Sequence, residues 1–296
     1  MRKILITGGS GFVGSNLATL FSSSSNSEVF STYMNHPIDV DDPLSIHPIQ
    51  LDVRNEKEVI SVFHKIKPTV VIHAAGNKNV RDCEKNPDDA YKTNALGTQN
   101  VARVCHDIDA HLIYVSTDLV FSCTDGQYQE TDIPEPSLVY GKTKLKGEEI
   151  AKQEHDRVAI CRSGGIYGNH SPLLQWLSKQ LLAGQAVECF TDVMNTPTYV
   201  VNLGEMFEVI INNNLTGIFH TVGSQRVSRF DLFTAYAKEF NLDTHLLVPT
   251  TVGQHGENLF LQKDASLRAE KTSAILGMKA DAIAEGFRRL AVAGGV

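Results

Sequence analysis

The feature that most constrains the fold is a glycine-rich turn near the start of the chain. The stretch ILITGGSGFVGSNL places Gly8, Gly11 and Gly14 between a β-branched run and an apolar helical pattern. Here Gly8 permits a tight turn, Gly11 lets the backbone approach a pyrophosphate, and Gly14 permits close packing of helix on strand. The helix N-terminus adds N–H groups and the positive end of a dipole. The turn predicts a dinucleotide-binding site, to which we also assign Phe12 and Val13.

Short β-branched runs alternate with helical patterns along most of the chain. The runs are continuously apolar, as expected for parallel strands covered on both faces. They predict strands at residues 4–7, 29–33, 49–53, 70–73, 112–116, 158–162 and 218–222. Between them apolar residues recur at helical spacing, as at Val101, Val104, Cys105 and Ile108. This alternation predicts the α/β class, with a Rossmann-type, doubly wound parallel sheet.

The regular alternation degrades after Gly168. Helical patterns follow at 173–182 and 281–293, and Ser228 with Asp231 three residues later forms a capping-box signature. We therefore predict an NAD(P)-binding Rossmann domain at 1–167, with 199–223 returning to the sheet. A smaller, interleaved C-terminal substrate-binding subdomain is predicted at 168–198 and 224–296.

Composition excludes several functional classes. The net charge of −7 lacks the basic surplus of a nucleic-acid binder. The five widely spaced cysteines suit reduced thiols, and neither they nor the 11 histidines form a metal-binding motif. No apolar run approaches the ~20 residues that span a bilayer, and the opening strand leaves no room for a signal peptide. We expect a cytoplasmic protein with no metal, no nucleic-acid partner and no membrane partner.

The end of the second predicted strand bears on the choice of dinucleotide. A NAD-preferring site usually places Asp or Glu there, but FSTYMNH offers neither an acid nor an arginine for a 2′-phosphate. The missing carboxylate removes a repulsion, so the sequence slightly favours NADP(H) over NAD(H). Asp52 and Val53, at the end of the third predicted strand, are placed to meet an adenine edge. A solvent-facing aspartate is the alternative there.

A second motif lies in LVYGKTKLKGEE, where Tyr140 and Lys144 share one face of a predicted helix. A tyrosine with a pKa near ~10 exchanges protons poorly at neutral pH unless its phenolate is stabilised, and a neighbouring ammonium can do that. Upstream, YVSTDLVF brings the hydroxyls of Ser116 and Thr117 to the carboxyl edge of the sheet, where ligands of doubly wound folds bind. For an isolated YxxxK, the alternative is a solvated helix face.

Together these features resemble the extended short-chain dehydrogenases/reductases over nearly the whole chain. The segments that carry the resemblance are TGGSGFVG, LDV, HAAG, YKTNALGTQNVA, VSTDLVF, VYGKTKLKGE, RSGGIYG, TPTYVVNLGE and GIFHTVGS. Within that group, YQETDIPEPSLVYGKTKLKGE and KDASLRAEK look most like the dTDP-4-dehydrorhamnose reductase, or RmlD-like, branch.

The resemblance implies a role for each matching residue. Tyr140 would be the general acid, Lys144 its pKa-lowering and ribose-binding partner, and Thr117 the hydroxyl that orients a substrate carbonyl. The further cofactor-binding residues would be Ala74, Ala75, Gly76, Asn94, Ser116 and Ile166, and the further substrate-binding residues Asp118, Thr196 and Thr198. The implied reaction is the NAD(P)H-dependent reduction of a nucleoside-diphosphate 4-keto-6-deoxy sugar. Turn formation by Asp118 and a proline-set strand entry at Thr196 and Thr198 are the structural alternatives.

The sequence departs from this branch at positions that would touch the sugar. Leu119 stands where an aromatic residue is usual, and Gly165 where a tryptophan is usual. Leucine cannot transfer a proton, which argues against a sugar-nucleotide 4,6-dehydratase. A NAD-dependent nucleotide-sugar 4-epimerase stays open because it needs the same Thr, Tyr and Lys. So does a non-catalytic NADP-binding subunit like the methionine adenosyltransferase β subunit. Homodimerisation is also left open.

Overall fold

A computed structural model describes residues 1–24, 26–37, 46–255 and 262–294 of the protein. The strands in this part of the chain are β1 (Arg2–Thr7), β2 (Ser27–Tyr33), β3 (Ile46–Gln50), β4 (Val70–His73), β5 (His111–Thr117), β6 (Val158–Ser163), β7 (Val187–Phe190), β8 (Met194–Asn195), β9 (Gly217–His220), β10 (Val227–Ser228) and β11 (Leu247–Thr250). The α-helices are α1 (Phe12–Ser22), α2 (Glu56–Ile66), α3 (Val80–Lys85), α4 (Pro87–Tyr91), α5 (Gly97–Asp107), α6 (Val139–Glu154), α7 (Pro172–Leu182), α8 (Val200–Asn212), α9 (Arg229–Glu239), α10 (Val252–His255), α11 (Glu270–Leu276) and α12 (Ile283–Val292). A π-helical segment, Lys92–Leu96, joins α4 to α5.

The chain forms two compact units. The first comprises Met1–Val120, Pro134–Arg162 and Gly204–Phe219, and the second comprises Phe121–Ile133, Ser163–Leu203 and His220–Val296. The boundaries of these units differ from those of the domains predicted from the sequence, and that domain division stays a prediction. Phe121–Ile133 groups with the second unit because its backbone pairs there: Tyr128 N–H donates to Ser266 O at 3.0 Å, and Arg268 N–H donates to Tyr128 O at 2.8 Å.

The described residues build a seven-stranded sheet in the order β3-β2-β1-β4-β5-β6-β9. β1 pairs in parallel with both β2 and β4, and the β2–β3 and β4–β5 pairs are parallel as well. The strands β2 and β3 therefore lie on one side of β1, and the chain then crosses to β4 and the later strands on the other side. Ligands of doubly wound sheets bind in the crevice at such a reversal. The predicted α/β, Rossmann-type class is confirmed.

Helices cover the first unit's sheet with apolar side chains. Val101, Val104 and Cys105 of α5 are fully buried in one cluster with Leu5 and Val71 of the sheet, so the predicted helical stripe is confirmed. In the second unit α7, α9 and α12 share a cluster of their own. At the start of α9, Ser228 Oγ accepts from Asp231 N–H at 3.0 Å, which confirms the predicted capping box.

The predicted third strand was shifted along the chain. It runs over Ile46–Gln50 and not over residues 49–53. Pro48 lies inside it, and this is tolerated because β3 is an edge strand, where an N–H can be missing without breaking the ladder. The backbone turns after Leu51, where Asn55 N–H donates to Asp52 O at 3.0 Å. Residues 38–45, which precede this strand in a Pro- and Asp-bearing stretch, lie outside the described residues.

All five cysteines are buried thiols. In the described residues no set of three or more His, Cys, Asp or Glu side chains is arranged to hold a metal ion. No helix in the described ranges combines the length and apolarity that crossing a membrane requires.

Candidate active site

The glycine turn leaves no space for side chains. Gly8 has a φ of +72°, and a Cβ on it would lie 2.7 Å from Ala75 N. A Cβ on Gly14 would lie 2.3 Å from Gly8 O. Helix α1 begins at Phe12 with Gly11 as its N-cap, and that cap contributes no side-chain hydrogen bond. The turn thus presents bare backbone and the end of a helix to a ligand, as a pyrophosphate requires.

A cleft of about 290 Å³ in the first unit opens over this turn. Its lining includes twelve of the predicted cofactor residues: Gly8, Gly11, Phe12, Val13, Gly14, Asp52, Val53, Ala74, Ala75, Gly76, Tyr140 and Lys144. It also includes seven that were not predicted: Ser10, Thr32, Tyr33, Met34, Leu51, Lys78 and Thr93. The end of β2 could have indicated Thr32, Tyr33 and Met34, whereas no sequence pattern indicated Lys78 or Thr93.

Three predicted cofactor residues do not line this cleft. Asn94 is buried, accepts from Asn77 N–H at 2.7 Å, and donates to Asn77 O and Thr143 Oγ1, each at 3.0 Å. Ser116 Oγ donates to Glu148 Oε1 at 2.6 Å. Ile166 belongs to the second unit. Asn94 and Ser116 therefore support the backbone and helix next to the cleft, and a direct role for either in binding the cofactor stays a prediction.

An arginine lies near the end of β2, where the sequence indicated none. Arg54, from the turn after β3, places Nη2 3.5 Å from Met34 Sδ. Its guanidinium binds both carboxylate oxygens of Asp52, at 2.8 to 3.1 Å, and Asp89 Oδ1 at 3.2 Å. The hydrogen bond from Arg54 lowers the pKa of Asp52, which is therefore ionised where it lines the cleft. Sequence reading missed this contact because it depends on the turn after β3.

Tyr140 lies in the first turn of α6, where its side chain interacts with that of Thr117. Thr117 Oγ1 donates to Asp118 Oδ1 at 2.8 Å and accepts from Leu119 N–H at 3.2 Å. Burial raises the pKa of Tyr140, and the charge of Asp118 raises it further. The role of Lys144 in lowering this pKa, which the resemblance implies, stays a prediction. A side chain with this environment is a protonated acid at neutral pH.

Lys144 lies one turn further along the same face of α6. It is buried, with Nζ 3.9 Å from the centre of the Tyr114 ring. Burial lowers the pKa of Lys144 to about 7, while the charge of Glu148 acts in the opposite direction. The contact with the ring compensates part of the lost hydration of the ammonium. Lys144 is therefore poised between its charged and neutral forms near neutral pH.

His73 ends β4, and hydroxyl groups contact both of its ring nitrogens. Its Nδ1 lies 2.6 Å from Thr7 Oγ1 and its Nε2 lies 3.1 Å from Thr98 Oγ1. Burial lowers the pKa of His73 to about 3, so the ring stays neutral. His73 is thus a packed, hydrogen-bonded residue.

Two of the predicted substrate-binding threonines, Thr196 and Thr198, lie buried in the second unit. Thr196 Oγ1 donates to Leu267 O and accepts from Leu267 N–H, each at 3.0 Å. Thr198 Oγ1 donates to Gly164 O at 3.0 Å. Both hydroxyls therefore bind backbone within this unit, and their role with substrate stays a prediction. Next to them, Gly165 has a φ of +52°, a conformation that disfavours the tryptophan usual at this position.

Comparison with known proteins identifies the family. The family model described as the RmlD substrate binding domain matches residues 1–292. The chain is 30% identical over 233 residues to the probable low-salt glycan biosynthesis reductase Agl14 of Haloferax volcanii, covering 76% of each protein. It is 31% identical over 213 residues to the methionine adenosyltransferase 2 subunit beta of Xenopus laevis, covering 68% of this chain and 63% of that protein.

Solved structures agree with this assignment. The dTDP-4-dehydrorhamnose reductase of Bacillus anthracis, determined in complex with NADP, superposes with a TM-score of 0.85 at 25% identity. The superposition covers 99% of this chain and 100% of that one. The fold, the glycine turn and the Thr–Tyr–Lys arrangement thus accompany a family match over almost the full length: the chain belongs to the RmlD family of extended short-chain dehydrogenases/reductases.

Proposed function

We propose that the protein is an NAD(P)H-dependent reductase of a nucleoside-diphosphate 4-keto-6-deoxy sugar. The observation that carries this proposal is a protonated tyrosine at a dinucleotide-type cleft. Tyr140 lines the cleft, and burial raises its pKa, so the phenol keeps its proton at neutral pH. A reductase needs such an acid at this position, since the reduced carbonyl oxygen must receive a proton.

The cleft residues fit a nicotinamide dinucleotide. The bare backbone at Gly8 and Gly14 would hold the pyrophosphate, the ionised Asp52 would meet the adenine, and Lys144 would bind the nicotinamide ribose. Once bound, the reduced nicotinamide would supply the hydride. NADP(H) is preferred in this proposal because the end of β2 carries no acid and Arg54 lies beside it. The NADP complex of the Bacillus anthracis relative also supports this preference.

The chain's own residues would act on the ketone as follows. Thr117 would orient the carbonyl, and Tyr140 would donate its proton to the oxygen as that atom becomes an alcohol oxygen. The phenolate left on Tyr140 is disfavoured by burial and by Asp118. The Lys144 ammonium, one helical turn away, would offset this by stabilising the negative charge. The tyrosine then regains a proton before the next turnover.

The decisive experiment measures oxidation of NADPH and NADH by the purified protein with a panel of nucleoside-diphosphate 4-keto-6-deoxy sugars. Tyr140→Phe removes the acid and should lower kcat by about 10²–10⁴-fold while the dinucleotide still binds. Tyr91→Phe, a change at an exposed tyrosine in α4, is the matched control and should behave like wild type.

A second outcome of the same experiment points to a different function. The 31% identity to the methionine adenosyltransferase 2 subunit beta favours a regulatory role as the alternative. Tight dinucleotide binding without turnover of any sugar, together with capture of a methionine adenosyltransferase catalytic subunit, would replace the reductase proposal. Purified protein that already carries NAD and interconverts a sugar with its 4-epimer would instead indicate an epimerase.

A further inference from the structure

A fully buried ion pair lies directly behind the candidate active site. Arg162 donates from Nε to Glu148 Oε1 at 3.0 Å and from Nη2 to Glu148 Oε2 at 2.7 Å. Ser116 Oγ donates to the same Oε1 at 2.6 Å. The two charged side chains are only 2% and 1% exposed. A gain in stability does not by itself explain such a pair, because the free energy of removing two charges from water can exceed the free energy gained from their attraction.

The position of this pair relates it to Lys144. Tyr140, Lys144 and Glu148 follow one another at intervals of four residues, so they lie along one face of α6. Ser116 directly precedes Thr117 on β5, and Arg162 lies on β6. Glu148 therefore fastens the helix that carries Tyr140 and Lys144 to two strands of the sheet.

The glycines of α6 bring the helix close to β5. A Cβ on Gly147 would lie 2.2 Å from Tyr114 Oη, and a Cβ on Gly141 would lie 2.0 Å from Leu119 O. Tyr114 Oη also donates to Lys144 O at 3.2 Å, which fixes the backbone at the lysine. The close approach places the lysine ammonium over the Tyr114 ring and away from bulk water.

Burial on this face works against the charge that Lys144 needs. An ammonium can donate to a ribose hydroxyl and stabilise a phenolate, whereas a neutral amine does neither well. Burial lowers the pKa of Lys144 to about 7, and the negative charge of Glu148 opposes this shift. Three hydrogen bonds from Arg162 and Ser116 fix the position of the Glu148 carboxylate on this face of the helix.

Among the groups around the site whose pKa values are shifted, Lys144 has the value nearest neutrality. The titratable side chains that interact with Lys144 or Tyr140 are His73, Cys83, Tyr114, Asp118 and Glu148, and Arg162 binds Glu148. Burial lowers the pKa of His73 to about 3 and raises that of Cys83 to about 11. Burial also raises the pKa of Tyr114 and of Tyr140.

We infer that Glu148, held by Ser116 and Arg162, is a positioning residue that keeps Lys144 protonated and able to bind a dinucleotide at neutral pH. The inference rests on the proposed function only through the dinucleotide site, and not through the sugar. It assigns Ser116 to the support of Glu148, a role different from the direct cofactor contact that the sequence suggested.

The test measures dissociation constants for NADH and NADPH by nicotinamide fluorescence between about pH 5.5 and pH 9, with no sugar present. NADH is the reference probe because it lacks the titrating 2′-phosphate. Since the ammonium form binds, affinity is high below the Lys144 transition and falls as pH rises through it. Glu148→Gln should move this transition about one pH unit below that of wild type. At pH values between the two transitions, the variant should bind NADH up to about tenfold more weakly than wild type does.

The matched control is Glu149→Gln, the same substitution at the next residue of the helix. Glu149 is 56% exposed and pairs with Lys146 at 2.9 Å, so the control curve should overlay that of wild type. An affinity loss in Glu148→Gln that is the same factor at every pH would overturn the inference, because the cluster would then serve structure alone. Absence of dinucleotide binding in wild type would overturn it too, whereas failure of the sugar panel alone would not.

A second variant guards against misfolding. Glu148→Gln leaves Arg162 charged and unmatched in the interior, which can destabilise the protein. Combining it with Arg162→Met removes both charges and should recover the melting temperature. The combined variant should still show the transition at lower pH, since Lys144 has lost its carboxylate. A combined variant with the wild-type pH dependence would contradict the inference.

Discussion

The polar side chains predicted to act in the two compact units have different surroundings. In the first, Tyr140, Lys144 and Asp52 line a cleft, and each has a shifted pKa. In the second, the hydroxyls of Thr196 and Thr198 are engaged by backbone groups. The difference shows that burial alone does not identify a functional residue. A buried polar group with a strongly shifted pKa beside a cleft is a candidate for chemistry, and one that satisfies the backbone is a candidate for support.

The largest effect should come from closing the first unit's cleft at its glycine turn. Gly14→Ala places a Cβ 2.3 Å from Gly8 O, so the turn must move and dinucleotide affinity should fall by at least about 100-fold. Gly253→Ala is the control, because a Cβ there meets nothing within 4 Å. Fluorescence titration with NADPH measures both. Wild-type affinity in Gly14→Ala would show that the turn does not bind the dinucleotide.

The next effect should be a gain in stability at the site itself. Lys144→Met removes an amine whose pKa is about 7 in the folded protein, against 10.5 for an ordinary lysine. The unfolded chain holds this proton more tightly, so the wild type loses stability as pH falls from 10.5 to 7. The variant should be more stable at pH 7 by on the order of 3 kcal/mol, and by less near pH ~9.5.

Urea unfolding at both pH values checks this expectation. Lys146→Met, on the exposed side of the same helix, is the control and should change stability little at either pH. An equal gain at both pH values would attribute the effect to packing and not to the buried charge. A loss of stability at pH 7 would contradict the lowered pKa.

The smallest effect should be a loss of stability in the second unit. Thr198→Val removes the hydroxyl that donates to Gly164 O at 3.0 Å and leaves that carbonyl without this bond. The free energy of unfolding should fall by about 1–2 kcal/mol. Thr131→Val, at an exposed position of the same unit, is the control. A Thr198→Val protein with unchanged stability but a raised KM for the sugar would instead favour the predicted substrate contact.

Local signals in the sequence predicted much of the first unit. The glycine turn, the apolar stripe of α5 and the YxxxK spacing each depend on neighbours within a few residues, and so does the capping box at Ser228 of the second unit. The register of β3 was missed because Pro48 reads as a loop residue unless the strand is known to be at an edge.

Signals that depend on tertiary contacts could not be read from the sequence. Glu148 stands in KLKGEE, which reads as a charged surface, and only the contacts with Ser116 and Arg162 show that it is buried. Likewise, the direction of the pKa shift of Tyr140 depends on its burial and on Asp118, and not on the lysine four residues later. The contact of Arg54 with Met34 also required the folded chain.

The regular spacing of Tyr140, Lys144 and Glu148 constrains the number of residues within α6 as well as their identity. Each extra residue in an α-helix rotates everything beyond it by about 100° and advances it by about 1.5 Å. One residue inserted between Tyr140 and Lys144 would turn the lysine away from the tyrosine and the glutamate out of reach of Arg162. Insertions and deletions within α6 are therefore a stricter barrier to divergence in this protein than most substitutions on the helix's outer face.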